Sequence, residues 1–305
     1  MKFIKGVPMA TPSIALSLAA LGNITPYGEG IRYACGIMSF LALLIFFLKI
    51  VLDWPHAREE LKTPIPLSVL PTATMAIMLL CTYIATYVPN IALVIWCVAL
   101  AAHILVMLIF CKKFLIGFKL GSVFPSWFIV GVGIVAASVT APVTGVVAIG
   151  QAVFYVGLVL YLALLPPVTL RMAKVKTFPE PARKTIAIFT APSSLLVVGY
   201  FNSFAGETRP LLVYALLAIA TISYIYTLAM MPKLLKIKFY PTYAAFAFPF
   251  VISATAFRLG ANFIAYRHGF YFLNNIATMA MWLAVLIVNF VIVHYVRYFK
   301  FWMQF

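Results

Sequence analysis

Ten long apolar stretches follow one another along the chain, separated by short polar connections. A helix that crosses a bilayer needs about 20 predominantly apolar residues. The stretches therefore predict ten transmembrane helices, at residues 7–24, 30–52, 64–88, 90–113, 122–145, 147–170, 184–204, 210–231, 240–262 and 271–296. Because no connection leaves room for a soluble domain, we expect residues 1–305 to form a single all-α transmembrane domain.

The stretches alternate between two kinds. The odd-numbered stretches are rich in small residues, whereas the even-numbered ones are unbroken and bulky, as in FLALLIFFLKIVL at 40–52. A broken helix is tolerated in a bilayer only where protein or a water-filled cavity satisfies the freed backbone groups. We therefore expect the even helices to face lipid and the odd helices to line a central pore. The predicted pore-lining breaks in the odd helices are Pro12, Pro71, Gly131, Pro192 and Pro249.

The breaks recur at nearly regular intervals. The four prolines lie 59, 121 and 57 residues apart, and Gly131 stands near the middle of the long interval. A repeat of about 60 residues, with one broken inner helix and one straight outer helix, accounts for this spacing. The alternative is that the prolines reflect only the higher frequency of proline in membrane helices. The repeat predicts five helical hairpins in a quasi-fivefold arrangement.

Composition supports a membrane protein, since 65% of the residues are hydrophobic and 9% are charged, with a mean hydropathy of +1.09. A soluble domain could not bury this much apolar surface. Lys2 and Lys5 precede the first stretch, as in a signal peptide, but we expect the segment to be retained as the first helix.

The net charge of +16 is unevenly distributed along the chain. Four of the 22 Lys and Arg residues, Arg32, Arg209, Arg258 and Arg267, fall on one side of the predicted helices, and the other eighteen fall on the opposite side. By the positive-inside rule, we expect both termini to lie in the cytoplasm. We also expect the membrane to be the plasma membrane of the cell. The basic residues then face anionic lipid headgroups, so no nucleic-acid partner is expected. Attraction of anions to the cytoplasmic mouth remains open as a second effect. The eighteen are Lys2, Lys5, Lys49, Arg58, Lys62, Lys112, Lys113, Lys119, Arg171, Lys174, Lys176, Arg183, Lys184, Lys233, Lys236, Lys238, Arg297 and Lys300.

The odd helices carry hydroxyl groups but no Asp, Glu, Lys, Arg or His at membrane depth. Transporters coupled to protons or cations usually place an ionisable residue there, so its absence favours a passive pore. Hydroxyls and kinked backbone would hold a small anion only weakly, and conduction requires quick release. The alternative for each hydroxyl is a bond to its own backbone or close helix packing. The hydroxyl residues are Ser13, Ser17, Thr72, Thr74, Ser138, Thr190, Ser193, Ser194, Ser253 and Thr255.

Other chemistry finds little support. The four cysteines contain no CxxC pattern, and the four histidines contain no HExxH pattern, so neither a metal nor another cofactor is expected. The acids lie at helix ends or in loops, which leaves no carboxylate pair for catalysis inside the membrane. We therefore expect no enzymatic activity. The acids are Glu29, Asp53, Glu59, Glu60, Glu180 and Glu207.

The ninth helix is rich in aromatic residues, with Phe246, Phe248 and Phe250 close to Pro249. Residues two apart lie on different faces of a helix, so at most one or two of these rings can point at the pore axis. A ring in the axis would close a narrow tube by filling and dewetting it. The alternative for each ring is packing against neighbouring helices or lipid.

The odd stretches resemble those of the TehA tellurite-resistance and slow-type anion channel family, within the voltage-dependent anion channel and dicarboxylate transporter superfamily. The resemblance covers essentially the whole chain. It is carried by VPMATPSIALSLAAL at 7–21, PLSVLPTATMAIML at 66–79, FPSWFIVGVGIVAAS at 124–138, RKTIAIFTAPSSLLVVGY at 183–200 and YAAFAFPFVISATAF at 243–257.

This resemblance implies five hairpins around a central pore, a homotrimer with one pore per subunit, and conduction of small anions such as chloride or nitrate. It also implies a pore occluded near mid-membrane by a phenylalanine that corresponds to Phe248. The chain departs from the family at helix 5, where a family proline matches Val130, so that Gly131 must provide the break. It departs again at Pro249, where a bacterial relative has glycine.

Three functions remain to be compared. A passive channel for small inorganic anions agrees with the uncharged inner helices and with the resemblance. The alternative is a secondary carrier of organic anions, such as malate-like dicarboxylates, or of sulfite, or a tellurite-resistance exporter. A carrier would need an ionisable coupling residue, or an arginine that binds the carboxylate of the substrate, and Arg258 is the nearby candidate. Arg258 is also a candidate for attracting anions to the pore mouth. A membrane enzyme is disfavoured by the lack of a catalytic cluster.

Overall fold

The computed structural model of the chain describes residues 2–26, 28–174, 178–206 and 208–304. Lys176 and Glu207, which belong to the charge pattern above, lie outside these ranges. The described residues form helices and no strand. The α-helices are α1 Lys2–Lys5, α2 Thr11–Ile24, α3 Glu29–Leu52, α4 Trp54–Glu60, α5 Pro64–Val69, α6 Thr72–Ile84, α7 Pro89–Phe114, α8 Trp127–Val132, α9 Val135–Thr140, α10 Val147–Lys174, α11 Glu180–Arg183, α12 Ala191–Ser203, α13 Pro210–Leu235, α14 Ala247–His268 and α15 Leu273–Gln304. Three 3₁₀-helices cover Leu120–Ser122, Lys184–Thr190 and Pro241–Phe246.

Eight helical segments within the described residues are long and apolar enough to cross a membrane. The protein is therefore an all-helical membrane protein. The first predicted span corresponds to α2, which has 14 residues, and the fifth is divided into α8 and α9, which have 6 residues each. The eight segments are Glu29–Leu52, Pro64–Ile84, Pro89–Phe114, Val147–Lys174, Glu180–Ser203, Pro210–Leu235, Pro241–His268 and Leu273–Lys300.

Burial separates these segments into two kinds. In the apolar stretch of each unbroken helix, 28% to 39% of the residues are buried, whereas in Pro64–Ile84, Glu180–Ser203 and Pro241–His268 the share is 72% to 78%. Every residue of α2 except Asn23 is buried as well. We call the unbroken helices α3, α7, α10, α13 and α15 the outer helices. The five segments that end in α2, α6, α9, α12 and α14 are the inner segments.

The inner segments contact one another in a closed order. Helix α2 packs against α6, α6 against α9, α9 against α12, and α12 against α14, which in turn packs against α2. Each of these helices also packs against the outer helix that follows it in the chain. The small side chains of the inner segments permit this close packing, because they let neighbouring backbones approach.

Hydroxyl groups join neighbouring inner segments. Ser68 Oγ donates to Ser126 Oγ at 2.7 Å, and the hydroxyls of Ser194 and Ser253 lie 2.9 Å apart. The partners are separated by 58 and 59 residues, close to the spacing of the breaks in the sequence. Similar positions of successive repeats therefore face each other across the interfaces of the inner segments.

Four inner segments are interrupted before their longer helix begins, and the remaining one is divided into α8 and α9, which are equally long. Pro12 and Pro192 lie in the first turn of α2 and α12, beyond the interruption. Proline is favoured there because the N–H groups of a first turn have no intrahelical partner and its φ already suits a helix. These prolines therefore begin the second half of a broken segment and do not bend a continuous helix.

Candidate pore

A small cavity lies among the five inner segments, and we call it the central cavity. Its volume is about 40 Å³, and only apolar atoms face it. A water molecule occupies about 30 Å³ of liquid, so the cavity has room for about one water. A hydrated anion is larger than this space. The lining residues are Ser13, Leu16, Thr72, Met75, Phe128, Ile129, Val132, Gly133, Ile188, Ala191, Pro192, Leu195, Ala244, Ala245, Phe248 and Pro249.

The hydroxyls on the wall of the central cavity are occupied by other protein groups. Ser13 Oγ donates to Thr72 Oγ1 at 3.4 Å, and Thr72 Oγ1 donates to the carbonyl oxygen of Val69 at 2.7 Å. Hydroxyls in membrane helices often bond to the preceding turn in this way. The wall that an anion would meet is therefore apolar, although hydroxyl residues contribute to it.

Phe248 is the ring of the ninth predicted helix that lines the central cavity. It is 7% exposed, whereas Phe246 and Phe250 are fully buried. Phe246 packs edge-on against Tyr243, and Phe250 packs edge-on against Tyr224 of α13, each with ring centroids 5.4 Å apart. Phe248 thus faces the cavity while Phe246 and Phe250 do not, in agreement with the rule that residues two apart lie on different faces of a helix.

A larger cavity adjoins the central one, and we call it the basic vestibule. Its volume is about 270 Å³. Four of its lining residues, Ser13, Ile129, Ile188 and Ala245, also line the central cavity, so the two cavities are neighbours. The vestibule is the wider of the two. The ionisable Lys, His and Glu side chains that line the vestibule are Lys5, Lys49, His56 and Glu60.

An ion pair stands in the wall of the vestibule. Lys49 Nζ lies 2.6 Å from Glu60 Oε1, and the two side chains are 2% and 28% exposed. His56 Nε2 lies 3.5 Å from the same carboxylate oxygen. Lys49 comes from the end of an outer helix and Glu60 from the short helix α4, so the fold brings a buried cation and its partner to the wall of the vestibule.

The predicted pore-lining residues do not all reach the central cavity. Pro192 and Pro249 line it. Pro12 and Pro71 are buried, and the residues that follow them, Ser13 and Thr72, face the cavity instead. In these two segments the proline therefore lies next to the cavity wall and does not form it.

Gly131 is a correction to the sequence interpretation. A Cβ atom at Gly131 would lie 2.7 Å from Leu164 Cδ1, so this glycine faces the outer helix α10. The break between α8 and α9 lies at Gly133 and Ile134, and Gly133 lines the central cavity. Two residues along a helix correspond to a rotation of about 200°, which places positions 131 and 133 on nearly opposite faces.

Arg258 lies at the junction of α14 with α2. Its side chain donates from Nη1 to the carbonyl oxygen of Ile24 at 2.9 Å, and Ile24 is the last residue of α2. The last carbonyl groups of a helix have no intrahelical partner, so this contact satisfies one of them. Arg258 remains exposed to solvent, and its role at a pore mouth stays a prediction.

Sequence reasoning missed two charged residues of the vestibule wall, Lys49 and Glu60, because it counted them only among the charged residues of the chain. One signal was present, because Lys49 stands inside the apolar run FFLKIVL and not after its end.

The described residues contain no group of three or more His, Cys, Asp and Glu that could hold a metal ion. His103 is fully buried, with Nδ1 2.8 Å from Thr74 Oγ1 and Nε2 3.3 Å from the carbonyl oxygen of Val130.

Comparison with known proteins gives one match. Residues 4–296 match the sequence profile of a family described as voltage-dependent anion channel. No curated protein matches the chain. The matched region contains all five inner segments, the central cavity, the Lys49–Glu60 pair and every residue that lines the vestibule except Tyr298.

Proposed function

Because the chain belongs to the voltage-dependent anion channel family, we propose that it is a passive channel for small inorganic anions, gated by Phe248. The observation that carries this proposal is the position of the ring on the central cavity, where the pathway narrows from about 270 to about 40 Å³. A constriction of this size that is lined by apolar atoms excludes water. Movement or removal of the Phe248 ring would let water and anions enter it.

The proposed channel consists of ten membrane spans arranged as five hairpins with quasi-fivefold symmetry. The closed order of contacts among the inner segments supports this arrangement, as does the repeat-length separation of their hydrogen-bond partners. Helix α2 alone is about 21 Å long, shorter than the hydrocarbon core of about 30 Å, so the residues before it complete the first span. We also expect a homotrimer with one pore in each subunit, as the family resemblance implies.

The electrostatics of the pathway favour anions without a charged side chain in the central cavity. Four helices begin at this cavity, since Ser13, Thr72, Pro192 and Phe248 lie in the first turns of α2, α6, α12 and α14. The N-terminus of a helix carries a partial positive charge of about half an elementary charge. Such partial charges attract an anion weakly enough that it can leave again, which rapid conduction requires.

The basic vestibule is the proposed cytoplasmic entrance. It is lined by Lys5, near the N-terminus, and the positive-inside rule predicts that this end of the protein lies in the cytoplasm. Basic side chains raise the local anion concentration at this entrance.

A secondary carrier of dicarboxylates or sulfite is the less favoured function. A carrier of this kind needs a cation facing its binding site, because a buried carboxylate without a partner is costly. Only apolar atoms face the central cavity, and Arg258, which is not among its lining residues, donates to the carbonyl oxygen of Ile24 at the end of α2.

The proposal is tested by electrical recording from the purified protein and its Phe248→Ala variant in planar bilayers. A channel gives currents that do not saturate at the low anion concentrations typical of carriers, and its reversal potential follows the anion gradient. Currents that follow the potassium gradient would reject the proposal. Saturable anion exchange in vesicles without net current would instead identify a carrier.

A further inference from the structure

The basic vestibule contains a buried cation that an internal carboxylate already neutralises. Lys49 is 1% exposed and lines the vestibule together with Glu60. The distance of 2.6 Å between Lys49 Nζ and Glu60 Oε1 corresponds to a direct charge-assisted hydrogen bond. A buried ammonium needs such a partner, because an unpaired charge away from water is strongly disfavoured.

The carboxylate of Glu60 is chemically equivalent to the anions that the vestibule would receive. It reaches the vestibule from α4 and is partly exposed there, whereas Lys49 is enclosed on its other sides. His56 also faces Glu60, at 3.5 Å, and Lys5 lines the same cavity. The carboxylate thus occupies the position that a small anion would take if Glu60 were absent.

We propose that Glu60 is a built-in competing anion that keeps Lys49 from trapping permeating inorganic anions at the entrance of the pore. The inference rests on the proposed function, since it gives Glu60 a role in regulating conduction through the proposed channel. With the pair intact, the vestibule attracts anions through its remaining basic groups but binds none of them tightly. Without the carboxylate, Lys49 becomes a binding site for a halide or nitrate ion, and the release that conduction requires becomes slower.

The chain offers a matched control in the preceding residue. Glu59 Oε1 lies 2.6 Å from Lys62 Nζ, the same distance as in the vestibule pair, but these two side chains are 64% and 59% exposed. The hydrogen bond from Lys62 lowers the pKa of the Glu59 carboxyl, so this residue is also a carboxylate at neutral pH. Neither Glu59 nor Lys62 lines the vestibule.

The experiment compares Glu60→Gln with Glu59→Gln in the Phe248→Ala background, where the pore is open. The first measurement is conductance in planar bilayers as a function of cytoplasmic chloride concentration. For Glu60→Gln, we expect the half-saturating chloride concentration to fall about threefold, within the range of effects seen for partly exposed ion pairs. Conductance should rise at low chloride and should not exceed that of the background at high chloride, where salt screens the vestibule.

Further variants separate this role from a structural one. Glu60→Asp keeps the carboxylate and should remain near the background value. The double variant Lys49→Gln/Glu60→Gln removes both charges, so it leaves no buried unpaired ammonium and should also lose the tight chloride binding. Line broadening in chloride NMR of the purified variants gives a second readout that requires no conduction.

The outcomes are distinguishable. The inference is overturned if Glu60→Gln matches Glu59→Gln in half-saturating concentration and in line broadening. It is also overturned if Glu60→Gln scales conductance equally at all chloride concentrations, because a misplaced helix would do the same. If the Phe248→Ala background carries no anion current while Glu60→Gln still strengthens chloride binding, the proposed channel fails and the competition for Lys49 stands.

Discussion

Phe248→Ala should open the pore without any other change in the protein. The ring is 7% exposed and lines a cavity of about 40 Å³, which holds about one water molecule. An anion that enters this space must give up nearly all of its hydration. Removal of the phenyl group joins its volume to the cavity and lets the anion keep additional water molecules.

The size of the effect follows from the hydrogen bonds that the anion regains. A hydrogen bond to a charged group is worth about 1.5–3 kcal/mol in a protein. One to two regained waters therefore lower the barrier by about 3 kcal/mol, and since about 1.4 kcal/mol corresponds to a tenfold change, the current should rise on the order of 100-fold. Phe248→Leu should fall between the parent and Phe248→Ala, because a smaller apolar group still dewets the constriction.

Phe246→Ala is the matched control, because this ring is fully buried against Tyr243 and does not line the cavity. It should change the current little but lower the thermal stability, since truncation of a buried Phe to Ala typically costs about 3–5 kcal/mol. Phe248→Ala should therefore give the larger anion current, and Phe246→Ala should give the larger loss of stability.

The assay is anion current per reconstituted protein in bilayers, with thermal unfolding in detergent measured in parallel. A Phe248→Ala protein that folds and inserts normally but conducts no better than the parent would show that Phe248 is not the gate. Phe250 would then be the next ring to test.

Three further predictions concern topology, selectivity and packing. A reporter fused after Phe305, a residue outside the described ranges, should be cytoplasmic, and an external reporter would contradict both the ten spans and the orientation of the vestibule. Iodide and nitrate should permeate at least as well as chloride in bi-ionic reversal-potential measurements, because a pathway without fixed charge at depth ranks anions by dehydration cost; a strong preference for chloride would refute this reasoning. Gly157→Ala should lower the free energy of unfolding by about 1–3 kcal/mol, because a Cβ there would collide with Val135 Cγ2, whereas Gly30→Ala, which has open space, should leave the unfolding temperature nearly unchanged.

The membrane class and the alternation of buried and more exposed segments could be predicted from the sequence. Small residues with proline in one stretch and bulky residues in the next are a strong signal, because lipid contact and close helix packing favour different side chains. Two predicted spans fall short of the expected length as helices. The first is interrupted before Thr11 and the fifth at Gly133, where local chain geometry decides the helix boundary.

The face that each residue presents could not be predicted in the same way. An inner segment is apolar on all sides, so hydrophobic periodicity does not distinguish the cavity from a neighbouring helix. For this reason Gly131 and Gly133 were indistinguishable in the sequence, and one faces α10 while the other lines the cavity. Lys49 was hidden for another reason, since its partner Glu60 reaches it only through the turn between α3 and α4.

The contact between α14 and α2 has a consequence for biosynthesis. Arg258 and Ile24, which form the hydrogen bond at this junction, are 234 residues apart, so the ring of inner segments closes through a pairing between the two ends of the chain. Loop-closure entropy makes such a distant pairing slow, and it cannot form until the ribosome has synthesised α14. We expect the nascent protein to remain an open arc in the bilayer, with one flank of α2 exposed to lipid, until the last hairpin is inserted. Chains truncated before residue 247 should therefore be preferred substrates of membrane quality-control proteases.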